Sequence, residues 1–316
     1  MKKFVTKVSM FVLTFLTLII FPGLIVSSFD NIDKNTSNNS NIISLQNKSN
    51  FENLDVLFLG NSYCYSSIKP AMLDSVDIKS YNLGIASAGV EFYELIINDY
   101  LNNVSEYPET IFLLITPMTF SSKTDIYTDY PLHRYLENPI SNFEIAITYD
   151  HFDELMPMYK RSVKKGFSNI FSYNKFKQKS IIDMKNKGFI ESNQLVNKDI
   201  ISKTIPWFSP LLNDIWDQNK VKKLKDLTKF IKSKGIEVVY FELPTNQLNN
   251  YFSQKYLMFY EKAVKTLSKS EKFLSIDDSL FLTIHYKDID HMNSDGATIA
   301  TNEVIKYLNS EQILEN

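Results

Sequence analysis

Three short stretches of the chain are almost continuously apolar and stop at glycine or proline. They are VLFLG at 56–60, TIFLLIT at 110–116 before Pro117, and IEVVYFEL at 236–243 before Pro244. Runs of this length suit strands, and runs that do not alternate suit strands buried on both faces. That is the position of a central strand in a parallel sheet covered by helices. FLSI at 273–276 reads as a fourth strand, and a short extended piece at 76–80 leads into YNLGIASAG. Helical patterns fall between these runs. Phe92, Leu95 and Ile96 share one face; Leu224, Leu227, Phe230 and Ile231 share another, with lysines opposite and Gly235 at the end. Ala297, Ala300, Val304 and Leu308 recur at helical spacing near the C-terminus. Strands alternating with helices predict an α/β fold, three layers deep, with a mainly parallel central sheet. Residues 121–215 do not follow the alternation and are rich in aromatics; they are expected to form an inserted, cap-like region within a domain spanning 51–316.

The N-terminus predicts a different environment. Lys2, Lys3 and Lys7 precede an uncharged run from Val8 to Phe29. As a helix, its 22 residues would span about 33 Å, enough for a bilayer core. Lysines on its N-terminal side predict a cytoplasmic N-terminus and an extracytoplasmic remainder. Pro22-Gly23 and Val26-Ser27-Ser28 also allow a cleaved signal, but an uncleaved anchor in segment 1–29 is preferred. Residues 30–50 are rich in Asn and Ser and read as a flexible tether.

Net charge is −2, with 34 basic and 36 acidic residues, so no nucleic-acid partner is expected. Cys64 is the single cysteine, and no intramolecular disulfide can form. It reads as a small packed residue rather than a reactive thiol. One cysteine and four scattered histidines make no zinc pattern, and no metal or cofactor is expected. No Gly-rich nucleotide motif follows any strand.

Two loops carry candidate chemistry. Gly60-Asn61-Ser62 follows the first strand, at the edge of a parallel sheet where ligands bind. Taken alone, the tripeptide reads as an ordinary turn. DIDH, at 288–291, lies in a polar loop before the last helix. A carboxylate three residues before a histidine can fold back to accept the imidazole Nδ1–H. Nε2 is then free to take a hydroxyl proton. Asp290, adjacent to His291, should point away in an extended loop, so Asp288 is the preferred orienter. The alternative is that Asp288, Asp290, Asn293 and Asp295 are turn and helix-cap residues.

Together, Ser62 near the start of the domain and Asp288/His291 near its end resemble the SGNH (GDSL-like) hydrolase superfamily. YNLGIASAG resembles that family's second block. YFELPTN, YLMFYEKAVKTL and DHMNSDGA are similar to its membrane-anchored subgroup that acylates cell-surface polymers. The resemblance spans about residues 53 to 310 and implies Ser62 as nucleophile, His291 as base and Asp288 as orienter. It implies backbone oxyanion donors at Ser62 and at Ser87 or Gly89. It also implies acyl-ester transfer or hydrolysis, with O-acetyl the expected group, on a cell-envelope polysaccharide, without a cofactor. The partners it implies are a glycan acceptor and an acyl donor, with docking onto an integral-membrane acyltransferase as a further partner. Asn61 replaces the usual aspartate of the first block. The third block's asparagine is missing, and Thr116-Pro117-Met118-Thr119 stands in its place. Thr116, Thr119 or a group from 121–215 would then complete the oxyanion hole. Otherwise the chain is a weakly catalytic scaffold.

Overall fold

The structure is a computed structural model and describes residues 51–86, 88–121, 186–197, 199–202, 216–246 and 248–311, together with 6, 9 and 10. Five strands form one sheet: β1 (Val56–Gly60), β2 (Ser80–Gly84), β3 (Thr110–Leu114), β4 (Glu237–Glu242) and β5 (Lys272–Ser275). Their order is β2-β1-β3-β4-β5, and every pairing is parallel. All residues of β1, β2 and β3 are buried, as continuous apolar runs require of strands covered on both sides.

Six helices of the described residues accompany the sheet: α1 (Ser62–Ser67), α2 (Pro70–Asp74), α3 (Val90–Asn103), α4 (Gln218–Ser233), α5 (Gln254–Leu267) and α6 (Ser294–Ser310). Right-handed crossovers in this strand order put α1 and α2 on one face and α3, α4 and α5 on the other; α6, after the last strand, packs beside α1 and α2. Side chains agree. Val56, Phe58, Phe112, Leu114, Val239 and Phe241 join Ile68, Leu73, Ala300, Val304 and Leu308 in one core. On the opposite face the Tyr240 and Thr228 hydroxyls are 2.5 Å apart, joining β4 to α4. The three-layer α/β architecture expected from the sequence is present, with a wholly parallel five-stranded sheet.

Two details differ. The extended segment expected at 76–80 lies at Ser80–Gly84. Phe230, assigned to the apolar face of α4, is 38% exposed. Its ring is covered by the Lys234 ammonium, 5.4 Å from the centroid, while Leu224, Leu227 and Ile231 are buried. Gly235 closes α4 as expected, with φ of +82°, a conformation that glycine adopts without strain.

No helix among the described residues is long and apolar enough to cross a membrane. The expected anchor at 8–29 lies outside the described residues, apart from Ser9 and Met10. So do the tether at 30–50 and most of the expected cap at 121–215.

Candidate active site

Strand order 2-1-3-4-5 places the sheet's switch point between β1 and β3, and the crevice there opens at the carboxyl ends of the strands. Asn61 and Ser62 leave the end of β1 at this point, and Thr116 lies just beyond the end of β3. Asn61 caps α1: its Oδ1 accepts from the Tyr63 N–H at 3.0 Å. Its Nδ2 donates across the crevice to Thr116 Oγ1 at 3.3 Å. Ser62 follows as the first residue of α1 and is half-buried.

The position of α1 is set from β2. Asn82, fully buried, donates from Nδ2 to the carbonyls of Cys64 (2.7 Å) and Ile68 (2.9 Å). Its Oδ1 accepts from Cys64 Sγ at 3.3 Å and from the Gly84 N–H at 3.0 Å. Gly84 allows the close approach: a Cβ there would lie 2.6 Å from Tyr65 N and 2.9 Å from Asn61 O. Cys64 is wholly buried, and burial raises its thiol pKa far above the ordinary value. It acts as a packed residue that donates one weak bond.

His291 comes to α1 from the other end of the chain. Its ring centroid lies 5.4 Å from that of Tyr63 and 6.4 Å from that of Tyr65, the latter nearly parallel. Nδ1 is 3.0 Å from Asp288 Oδ2 and 3.1 Å from Oδ1. Asp288 Oδ1 also accepts the backbone N–H groups of Asp290 (3.0 Å) and His291 (2.7 Å). Asp288 is thus both a turn residue and an imidazole partner. The same turn overturns the expectation for Asp290. Its backbone is folded back, and Oδ1 reaches His291 Nδ1 at 2.7 Å, closer than Asp288. Two carboxylates therefore share one imidazole nitrogen. Asn293 caps α6, its Oδ1 accepting from the N–H groups of Asp295 and Gly296 at 3.1 Å each.

The charges follow from this packing. Burial works against ionising all three groups. For His291 the two carboxylates outweigh it and push the imidazole up to about 9. For Asp288 the hydrogen bonds outweigh it and hold the carboxyl well below the usual range. For Asp290 burial prevails, and the carboxyl is pushed up to about 6. Burial, then Asp290 and Asp288, hold the Tyr63 hydroxyl protonated. Donor atoms of Asp288, Asp290 and His291 lie within 4.8 Å of one another. Both carboxylates already lie at hydrogen-bond distance from Nδ1, so the imidazole N–H fills the place a cation would take.

Two polar atoms in the site, His291 Nε2 and the Tyr63 hydroxyl, are buried without a hydrogen-bond partner. Nε2 is therefore not bonded to the Ser62 hydroxyl in this state. Thr116 is buried, with its hydroxyl shared between Asn61 and Thr119 Oγ1, each at 3.3 Å. Thr119 Oγ1 accepts the Thr116 N–H at 3.0 Å. Gly89 is the N-cap of α3 and is buried. Ser87 lies outside the described residues. Tyr63 and Tyr65 were not singled out from sequence, and Asp290 was set aside there as pointing away. Tyr63 and Tyr65, one position and three positions after the serine, were the only available signal for the aromatic wall.

No family model and no curated protein matches the chain. Among solved structures, a GDSL-like lipase from Bacteroides thetaiotaomicron is similar at 11% identity and TM-score 0.42, covering 87% of this chain and all of that one. A candidate acylhydrolase from Bacteroides fragilis is similar at 11% identity and TM-score 0.41, covering 84% and 94%. Likeness at this level does not establish a family.

Proposed function

We propose that the chain is a serine-dependent enzyme of acyl esters, related to the SGNH hydrolases. The unpartnered His291 Nε2 carries this reading. Five other buried side-chain atoms among the described residues also lack a partner, so it is the surroundings of Nε2 that give it meaning. Here it belongs to an imidazole whose other nitrogen is held by two carboxylates, packed against the helix that Ser62 begins. In the proposed reaction Ser62 Oγ attacks the ester carbonyl carbon while its proton passes to Nε2. Asp288 keeps the Nδ1–H in place and stabilises the imidazolium. The developing oxyanion meets the N–H of Ser62 and that of Ser87 or Gly89, with Thr116, bonded to Asn61, as the side-chain candidate beside them. The imidazolium returns its proton to the departing alkoxide, leaving an acyl-Ser62 ester. A sugar hydroxyl or water, deprotonated by Nε2, then takes the acyl group and restores Ser62.

The setting we propose is the outer face of a membrane, with the chain held by segment 8–29. Acceptor and donor are then components of the cell envelope: a polysaccharide hydroxyl and an O-acyl, most simply O-acetyl, ester. The test is labelling of the folded chain by a fluorophosphonate probe. Wild type should label, and Ser62→Ala and His291→Ala should not; a folded wild-type chain that stays unlabelled refutes the nucleophile.

A specific observation supports a second reading, a scaffold that binds glycan or docks onto an integral-membrane acyltransferase. Ser62 is not bonded to Nε2, and Thr116 spends its hydroxyl on Asn61 and Thr119. Glycan binding by an unlabelled wild type would favour this reading.

A further inference from the structure

Residues 280–284, Leu-Phe-Leu-Thr-Ile, contain no charge and lead directly into the histidine loop. Phe281 packs against the core, whereas Leu280, Leu282 and Ile284 are 40%, 61% and 58% exposed. These three large apolar side chains are exposed within five residues, whereas the other exposed large apolar residues of the described chain stand singly along it. The backbone beneath them is pinned. The Leu282 N–H donates to His285 Nδ1 at 3.0 Å, and Asn293 Nδ2 donates to the Ile284 carbonyl at 2.6 Å. Tyr286 pairs with Met292 in an antiparallel bridge, and the Lys287 N–H donates to the His291 carbonyl at 3.0 Å. The ridge and the His291 loop are therefore one rigid piece.

We propose that this ridge dips into the headgroup–acyl boundary of the bilayer to which the chain is tethered, turning the site toward the membrane surface. The inference rests on the anchoring read from residues 8–29. The tether makes the orientation attainable. Phe51, packed on Tyr81 and Tyr100, enters at the amino ends of the strands, while the ridge follows β5 at the carboxyl ends. Residues 30–50, 21 in all, could span at most about 70 Å, more than the roughly 40 Å across a compact unit of some 200 residues. A second copy is a poorer occupant. The three side chains offer on the order of 300 Å², short of the ~800 Å² per partner of a stable interface. Shallow insertion of a few apolar side chains is what a tethered domain needs, because the anchor already supplies the binding.

The test uses the full chain in phosphatidylcholine vesicles whose acyl chains carry bromine. Cys64 is buried, so Leu282→Cys is labelled selectively with an environment-sensitive fluorophore. Lys229→Cys serves as a control, its lysine side chain being 80% exposed on α4. The label at 282 should emit further to the blue and be quenched at least threefold more than the label at 229. Adding Ile284→Asp should remove most of that difference. Equal emission and quenching at the two positions would overturn the proposal. So would a shift at 282 seen only in native membranes, which would indicate a protein partner. Alkaline carbonate extraction tests the anchor separately. Extraction of the chain would overturn the anchoring and this proposal with it, whereas retention with equal quenching at the two positions would overturn the ridge alone.

Discussion

Replacing Asp290 by asparagine removes one of the two carboxylates on His291 Nδ1 while keeping the side chain's size. In the wild type the imidazole is pushed up to about 9, so at pH 7 only about one His291 in a hundred is neutral and able to act as a base. An opposite charge at hydrogen-bond distance shifts a pKa by about 1–3 units. With Asp288 as the one remaining carboxylate, the imidazole should fall by about 1–2 units. The ascending limb of kcat/KM should therefore lie well above pH 6.5 in the wild type and move downward in Asp290→Asn. Activity at pH 7 should rise about tenfold or more. Stability should follow the same linkage. Because the folded-state value lies above the unfolded one, His291 contributes fully below pH 6.5, and the contribution is lost as pH rises through about 9. The wild-type contribution is on the order of 3 kcal/mol, and a fall of about 1–2 units in Asp290→Asn should leave roughly a fifth to three-fifths of it. Titration of the His291 ring by NMR and a pH profile with an aryl acetate measure the two effects. A limb that stays in place in the variant, or a wild-type limb at or below pH 6.5, would refute the reasoning.

Loss of fluorophosphonate labelling in Ser62→Ala and His291→Ala, and quenching at position 282, are the outcomes expected of the nucleophile and the ridge. Thr116→Val keeps the side-chain shape but strands Asn61 Nδ2 and the Thr119 hydroxyl. It should cost about 1–3 kcal/mol in urea unfolding. If Thr116 supplies the side-chain oxyanion donor, turnover should also fall about 10²–10³-fold, with Thr116→Ser retaining most of it; unchanged turnover in Thr116→Val removes Thr116 from that role. Asn82→Ala removes the amide donor to the Ile68 carbonyl and one of the two donors to the Cys64 carbonyl, the Ile68 N–H being the other. It should destabilise the chain by about 3 kcal/mol, and an unchanged urea midpoint would show that this clamp contributes little.

The central strands were legible because burial on both faces leaves a continuous apolar run, a pattern independent of tertiary detail. β2 was placed only approximately, since its buried Ser80 and Asn82 interrupt that pattern. Asn82 is there to hold α1, a partner 14 to 18 positions away that no local window shows. Phe230 misled because helical periodicity places it beside the buried stripe, while the covering Lys234 comes from the next turn. In the site, the Asp288–His291 pairing was legible from its spacing. Asp290 was not, because in an extended loop it would point away, and Asp288 itself folds that loop by accepting two backbone N–H groups. Thr116 was named only as a stand-in for the missing asparagine; its bonds to Asn61 and Thr119 depend on the turn after β3.

A six-residue helix has almost no stability of its own in water, yet α1 begins with the proposed nucleophile. What holds it is Asn82, on a strand at the edge of the sheet. Fraying of β2 and loss of the serine's position are therefore a single local unfolding event. Amides of α1 and β2 should exchange with solvent together, at a rate distinct from β3 and β4. Substrate bound at Ser62 should slow exchange at Ser80–Gly84, residues it does not touch.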